Sequence, residues 1–173
     1  MERHDLEREL ERLHAESWGW ALACTGRDAD LAKEAVQSAY VRILSGRAAR
    51  TGGSSMRTWV FGVIRLAALE ELRRHRRAAA RFEDDDTATD AIDPAPGPDV
   101  VVERAERAAA LMTALKTLSD RQREVMHLVF YHGLTIEEAA TVMQVSLGSA
   151  RTHYKRAKAA LAAAITHLRE DVP

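Results

Sequence analysis

The chain has 173 residues, of which 46% are hydrophobic and 29% are charged, and its formal net charge is −1. This composition indicates a soluble, globular chain that makes one ordinary domain or two small ones. Cys24 is the single cysteine, so an intrachain disulfide and a cysteine-based metal cluster are excluded. The charged N-terminus is followed by no long apolar run, so we expect a cytoplasmic protein without a signal peptide or membrane insertion.

Apolar residues recur at helical spacing and alternating β-branched runs are absent, so we predict an all-α fold. A first helix is predicted over residues 5–24, ended by Gly26. A second helix begins at an Asp28 or Asp30 cap and runs to about Leu44. Because Cys24 follows apolar neighbours, we interpret it as a small core residue rather than a nucleophile.

Residues 45–55 form a predicted loop that carries Arg47 and Arg50 but no acid. The loop is either a plain connector or a segment that touches phosphate or an unpaired base. A third helix is predicted over residues 55–77, and its first part is apolar almost all round, as in buried helices. We therefore expect Trp59 to pack in a core rather than to stack on a base.

The third predicted helix ends in a cluster of arginines. Cations near a helix C-terminus interact favourably with the helix dipole, which is the ordinary explanation for such residues. Four arginines in residues 73–77 exceed that need, so we predict contacts with nucleic-acid phosphates.

Residues 81–107 are predicted to be an acidic, proline-containing linker between domains at residues 1–80 and 108–173. Residues 83–99 contain seven acidic residues and three prolines but no lysine or arginine. Such a composition buries too little apolar surface to fold alone. We therefore expect a flexible linker and two halves that move independently.

Two capping boxes are predicted in the C-terminal domain, and each would begin a helix. The first helix would run through His132 and end at Gly133. The capping pairs are Ser119 with Gln122, and Thr135 with Glu138.

Residues 135–161 are predicted to form a helix-turn-helix, with the turn at Gln144 and Val145 and a cap at Ser146. One face of the second helix is apolar, whereas the other is polar and basic, with no acid between Ser146 and Lys158. The pattern is typical of a recognition helix in a DNA major groove, although an ordinary solvated helix is the plain alternative. The predicted DNA-binding residues are Ser149, Arg151, Thr152, His153, Lys155, Arg156 and Lys158.

The sequence offers no catalytic constellation, so we predict a protein that is not an enzyme and has no metal or cofactor. Its histidines are scattered, and none lies in a His-Glu-x-x-His arrangement. His127 and His132 are five residues apart, a spacing that does not place two side chains well on one α-helical face.

The stretch from Leu118 to Leu161 resembles the promoter-reading C-terminal domain of bacterial sigma factors of the extracytoplasmic-function (ECF) group. Residues 56–61, followed by Arg65 and the arginine cluster, are similar to the family's segment that melts and reads the −10 element. Residues 34–42 are similar to the helix that grips the clamp of the largest polymerase subunit. The resemblance covers nearly the whole chain.

The resemblance implies a protein that binds core RNA polymerase and promoter DNA, directs promoter-specific transcription initiation, and is often controlled by an anti-sigma factor. The C-terminal helix would read the −35 element, and the linker would thread towards the polymerase channels. Polymerase contacts would come from Glu34, Gln37, Tyr40 and Arg42. Contacts at the −10 element would come from Arg47, Arg50, Arg57, Arg65, Arg73, Arg74, Arg76 and Arg77.

The chain departs from the family pattern at several positions. It has Ala35, Ser38, Leu44, Leu66 and His153 where the family usually has Leu, an acid, Trp, Asn and often Arg. A stand-alone helix-turn-helix regulator and a decoy that binds polymerase without recognising promoters are the alternatives. The match across residues 29–77 argues against the stand-alone regulator, which needs no polymerase-binding helix.

Overall fold

The computed structural model describes residues 3–50, 52–80 and 113–170, with side chains up to residue 163. Within these ranges all regular secondary structure is helical, which confirms the all-α prediction. The predicted linker at 81–107 lies outside the described residues. We refer to residues 3–80 as the N-terminal half and to residues 113–170 as the C-terminal half.

The N-terminal half contains helices α1 (Arg3–Arg12), α2 (His14–Cys24), α3 (Ala29–Leu44) and α4 (Met56–Ala79). The prediction of one helix over residues 5–24 is wrong, because the chain bends at Leu13. There the backbone ψ angle is −1°, and the Leu13 side chain is only 1% exposed. The bend turns this leucine into the core, so packing overrides the continuous helical pattern of the sequence.

The caps of α3 and α4 lie where the sequence places them. The carboxylate of Asp28 accepts hydrogen bonds from the amides of Asp30 and Leu31, at 3.0 Å each. The hydroxyl of Ser55 accepts a hydrogen bond from the amide of Thr58 at 3.1 Å. These side chains satisfy amide groups that a helix start leaves unpaired.

The C-terminal half contains a helical stretch at 113–117, then α5 (Asp120–Met126), a π-helix (His127–Tyr131), α6 (Ile136–Met143) and α7 (Leu147–Glu170). Both predicted capping boxes are present. Gly133 has a φ angle of +63°, which favours glycine and ends the preceding helix as predicted.

The π-helix changes how its histidines are arranged. The amide of His132 donates a hydrogen bond to the carbonyl of His127 at 3.2 Å, five residues earlier. A π-helix brings residues i and i+5 together, and the two imidazole centroids are 5.0 Å apart. The prediction that these histidines do not share a face is therefore wrong.

Trp20 lies at the centre of the packing between the two halves and is fully buried. Its ring stacks on Phe61 of α4 at 6.1 Å and on His127 of the C-terminal half at 5.7 Å. Its indole N–H donates to the carbonyl of Phe61 at 3.0 Å. A single hydrophobic cluster contains buried residues of both halves, so the two halves pack together in this structure.

Candidate nucleic-acid interface

Helix α7 presents one face to the core and the other to solvent. Ala150 and Ala157 are fully buried, and the hydroxyl of Ser146 accepts a hydrogen bond from the amide of Ser149 at the helix start. Six of the seven predicted DNA-binding residues are exposed, while His153 is half-buried. The structure therefore brings this predicted set together along one helix surface.

Some side chains on this surface have partners within the protein. The guanidinium of Arg151 lies 3.9 Å from the carboxylate of Glu137, and the ammonium of Lys158 lies 5.6 Å from the Tyr154 ring centroid. The hydroxyl of Thr152 donates to the carbonyl of Gly148 at 2.9 Å. Lys155 and Arg156 are exposed, so they are the best placed to reach a ligand.

Arg121 supports the turn between α6 and α7, a role that the sequence does not reveal. Its guanidinium donates to the carbonyl of Met143 at 3.3 Å and to the carboxylate of Glu124 at 3.1 Å. Gln144, the next residue, has a left-handed φ angle of 55°. No local pattern could identify Arg121, because its main-chain partner is distant in sequence.

The arginine cluster at the end of α4 is exposed, and one member is held by carboxylates. Arg74 pairs with Glu71 on the same helix and lies 3.2 Å from Glu34 of α3. Arg73, Arg76 and Arg77 are also exposed. The structure thus groups these four predicted −10 residues at one helix end.

The other two predicted −10 residues on α4, Arg57 and Arg65, lie apart from this cluster. Arg57 lies 2.6 Å from the carboxylate of Glu16 and donates to the carbonyl of His132. The side chain of Arg65 is 4% exposed and donates twice to Glu124, at 2.8 and 3.3 Å. In this arrangement Arg65 cannot touch DNA, because α5 covers it.

The loop before α4 borders a cavity of about 310 Å³. Arg47 and Trp59 line this cavity, together with Thr141 and Gln144 of the C-terminal half. Trp59 is half-buried and packs against the core as predicted, while also facing the cavity. Arg50 donates to the carbonyl of Ser54 at 3.1 Å, which folds its side chain back onto the loop.

His127 begins the π-helix and is half-buried, His132 follows its end and is buried, and both rings pack against Trp20. Burial, with the nearby positive charges of His127 and Arg57, lowers the pKa of His132 to about 4. Burial and the charge of Arg27 lower the pKa of His127. Near neutral pH both rings are therefore uncharged, as their apolar contacts require.

Within residues 3–50, 52–80 and 113–170, His, Cys, Asp and Glu side chains form no group of three or more that could hold a metal ion. Over the same part of the chain, no helix is both long and apolar enough to cross a membrane. Burial raises the pKa of the Cys24 thiol well above its usual value, which leaves it protonated and unreactive near neutral pH.

Comparison with known proteins identifies the family. Residues 10–78 match the family model of Sigma-70 region 2, and residues 108–161 match that of Sigma-70, region 4. The chain is 27% identical over 149 residues to the ECF RNA polymerase sigma factor SigX of Bacillus subtilis, covering 84% of this chain and 76% of SigX. The chain belongs to the ECF group of sigma factors. It therefore binds core RNA polymerase and directs promoter-specific transcription initiation.

Further relatives agree with this assignment. The ECF RNA polymerase sigma factor EcfG of Rhodopseudomonas palustris is 29% identical over 145 residues, covering 83% of this chain and 76% of EcfG. The sigma factor RpoE of Bartonella quintana, solved with the anti-sigma factor NepR, has a similar fold, with a TM-score of 0.70 and 22% identity over 98% of this chain and 99% of that one. CnrH, solved with the cytosolic domain of CnrY, gives a TM-score of 0.60 at 20% identity, over 96% and 90% of the two chains.

In this sigma factor, the predicted polymerase-binding residues lie along α3. Glu34 and Gln37 are exposed. The guanidinium of Arg42 donates two hydrogen bonds to the carboxylate of Glu70 on α4, and they lower the pKa of this carboxyl group. The hydroxyl of Tyr40 donates to the carbonyl of Leu10 at 3.3 Å, and burial raises its pKa, so this side chain also has a structural role.

Two of the departures from the family pattern lie away from the outer surface of α3. Ala35 is fully buried in the core, and Leu44 packs against that core. Replacing the usual Leu and Trp there changes internal packing rather than the exposed surface. Ser38 is half-buried.

Proposed function

We propose that this sigma factor divides promoter recognition between its two halves. The α7 surface reads the −35 element as duplex DNA, with Arg156 at base edges and Arg151 at phosphates. The observation that carries this proposal is the exposed, acid-free face of α7, mounted on the core by buried small residues. A helix of this kind fits the major groove and offers the donors that bases and phosphates accept.

The N-terminal half opens and holds the −10 element. Arg73, Arg76 and Arg77 supply a cluster of exposed cations for the phosphates of a separated strand. Trp59 and Arg47 line the cavity before α4 and would offer an aromatic ring and a cation to an unpaired base.

The outer surface of α3 binds the clamp helices of the largest polymerase subunit. Exposed Glu34 and Gln37 support this assignment. The buried position of Ala35 means that its difference from the family leaves that surface unchanged, which disfavours the decoy alternative.

Run-off transcription with core polymerase and a library of promoter fragments tests this function. We expect defined transcripts only when both proteins are present. Gel shifts with the free protein should give weak specific binding that core polymerase strengthens, and permanganate should detect opened bases in the full complex. Tight specific binding by the free protein, unchanged by polymerase, would instead indicate a stand-alone regulator.

We also propose that an anti-sigma factor regulates this protein. RpoE, which has a similar fold, was solved with the anti-sigma factor NepR, and CnrH was solved with the cytosolic domain of CnrY. Phe130 and Tyr131 are 64% and 72% exposed, and such aromatic side chains are frequent anchors in protein interfaces. A purified regulator should compete with core polymerase for the sigma factor, and the double variant F130S/Y131S should weaken regulator binding.

A further inference from the structure

A carboxylate of the C-terminal half binds the side chain of Arg65, a residue to which the family resemblance gives a role at the −10 element. The Arg65 side chain is 4% exposed and Glu124 is 16% exposed, and two hydrogen bonds join them. An arginine that presents two N–H groups to two oxygens binds a carboxylate or a phosphate in the same geometry. Glu124 therefore takes the position that a DNA phosphate oxygen pair would take.

Other contacts between the halves cover the same segment. The carbonyl of His132 accepts a hydrogen bond from Arg57, and Thr58 donates to the carboxylate of Glu138 at 3.4 Å. Thr141 also lines the cavity that Trp59 and Arg47 border. The C-terminal half therefore covers the middle of α4 rather than its basic end.

With its two halves packed together, the protein is too small in diameter to contact both promoter elements at once. The names of the −35 and −10 elements refer to positions about 25 base pairs apart, or roughly 85 Å along DNA at about 3.4 Å per base pair. A compact chain of 173 residues has a radius of gyration of about 16 Å, and hence a diameter of about 40 Å. Helices α4 and α6 pack directly on each other, so the halves must separate before both elements are bound.

We propose that the Arg65–Glu124 ion pair is an autoinhibitory latch that holds the free sigma factor closed and withholds Arg65 from DNA. This inference rests on the proposed −10 function of α4. Opening transfers Arg65 from Glu124 to the nucleic acid. Glu124 then keeps its second partner, Arg121, which still supports the turn before α7 through the carbonyl of Met143. The latch therefore releases without loosening the helix-turn-helix.

The variant Glu124→Gln removes the charge of the latch and leaves every predicted DNA-binding residue in place. Asp120→Asn is the matched control, because it removes one exposed acid that pairs with Arg123 on the same helix. Spin labels at Lys33→Cys and Lys116→Cys, in a Cys24→Ser background, report the distance between the halves. A fluorescent 15-nucleotide single strand of mixed sequence reports DNA binding by anisotropy.

We expect a narrow distance distribution in the unmodified chain and in Asp120→Asn, and a broad one in Glu124→Gln. If the open form is about a tenth of the free chain, Glu124→Gln should bind the single strand about tenfold more tightly. The swap R65E/E124R should restore the narrow distribution without the tighter binding. A Glu124→Gln protein that stays closed, or that opens without a gain in binding, overturns the latch.

A second test leaves the ion pair intact, in case Glu124→Gln lowers helix content. Ala49 of the loop before α4 and Thr141 of α6 both line the cavity, so A49C/T141C in the Cys24→Ser background can be joined by a bismaleimide of matched length. Cross-linking should lower affinity for the single strand below that of the uncross-linked chain, because the closed form withholds Arg65 and offers only the basic end of α4. Unchanged affinity would refute the latch.

Failure of the proposed function and failure of the latch can be told apart. A chain that yields no transcript with core polymerase refutes the proposed function, whereas the spin-label distance between the halves does not depend on transcription.

Discussion

Helices α4 and α7 are both predicted to bind DNA, yet α4 buries one of its cations against a carboxylate, whereas the cations of α7 up to Lys158 are exposed. On α4, Arg65 is buried against Glu124 and Arg74 is paired with Glu71. On α7, Lys155 and Arg156 are exposed to solvent. Their sequences are comparably basic, so the difference comes from the carboxylates that the fold brings alongside. Local charge predicts where phosphates could bind, whereas tertiary contacts determine which cations are free to bind them.

The two helices also differ in how they pack against the core. The middle of α4 is core, with Phe61 and Ile64 fully buried, whereas α7 rests on alanines such as Ala150 and Ala157. Substitutions in the middle of α4 should therefore change both the free energy of unfolding and the packing of the two halves. Substitutions on the outer face of α7 should change DNA binding alone.

The largest expected effect is at Trp20, which contacts both halves. Trp20→Ala removes a buried ring and the hydrogen bond to Phe61, and should lower the free energy of unfolding by about 3–5 kcal/mol. Urea denaturation followed by circular dichroism measures the loss. Glu11→Ala, at an exposed position of α1, is the control and should change stability by less than about 0.5 kcal/mol. Equal effects would contradict the packing role of Trp20.

The next effect is a pH dependence of the contact between the halves. The pKa of His132 falls from its usual 6.5 to about 4 on burial, so the folded chain binds fewer protons than the unfolded chain between these values. The stabilisation is complete above pH 6.5 and is lost as the pH falls towards 4, by up to about 3 kcal/mol at 1.36 kcal/mol per pKa unit. His127, Tyr131, Arg57 and Glu16 surround this ring, and Glu16, 3.9 Å away, would offset part of the loss.

Urea midpoints at pH 7.5, 5.5 and 4.5 measure this dependence. His132→Gln should flatten the curve between pH 6.5 and 4.5, while His75→Gln, at an exposed position of α4, should leave it unchanged. Retention of the full slope in His132→Gln would assign the pH dependence to other groups.

The third effect concerns promoter binding by two arginines of α7. Arg156→Ala should cost about 1–3 kcal/mol of promoter affinity and relax the preference at one base position. Arg151→Ala should weaken binding uniformly across sequences, and by less, because Arg151 already lies 3.9 Å from Glu137. Holoenzyme binding to a set of single-base −35 variants separates the two outcomes. Identical profiles for both variants would contradict these roles.

The smallest effect is expected at the turn before α7. Gln144 has a φ angle of 55°, a conformation that glycine adopts with less strain. Gln144→Gly should raise the free energy of unfolding by about 0.5–1 kcal/mol. The control Thr141→Gly, in the helical conformation of α6, should lower it by a similar amount. Thermal unfolding of both variants compares them, and a destabilised Gln144→Gly would show that its side chain has an unrecognised role.

The sequence by itself determined the local structure and the family. The caps at Asp28, Ser55 and Ser119 lie where predicted, because a capping side chain reaches amides only a few residues away. The apolar and basic faces of α7 followed from the 3.6-residue helical period. These features depend on neighbours along the chain, so a single sequence contains the information.

Tertiary structure alone decided the bend at Leu13, the π-helix that joins His127 and His132, and the burial of Arg65. Each depends on a partner from elsewhere in the chain: the core for Leu13, Trp20 for the histidines, and Glu124 for Arg65. No local pattern distinguishes an arginine that faces solvent from one that meets a carboxylate fifty-nine residues later. The sequence thus predicts which residues could bind DNA, and the packing of the two halves decided which of them are exposed.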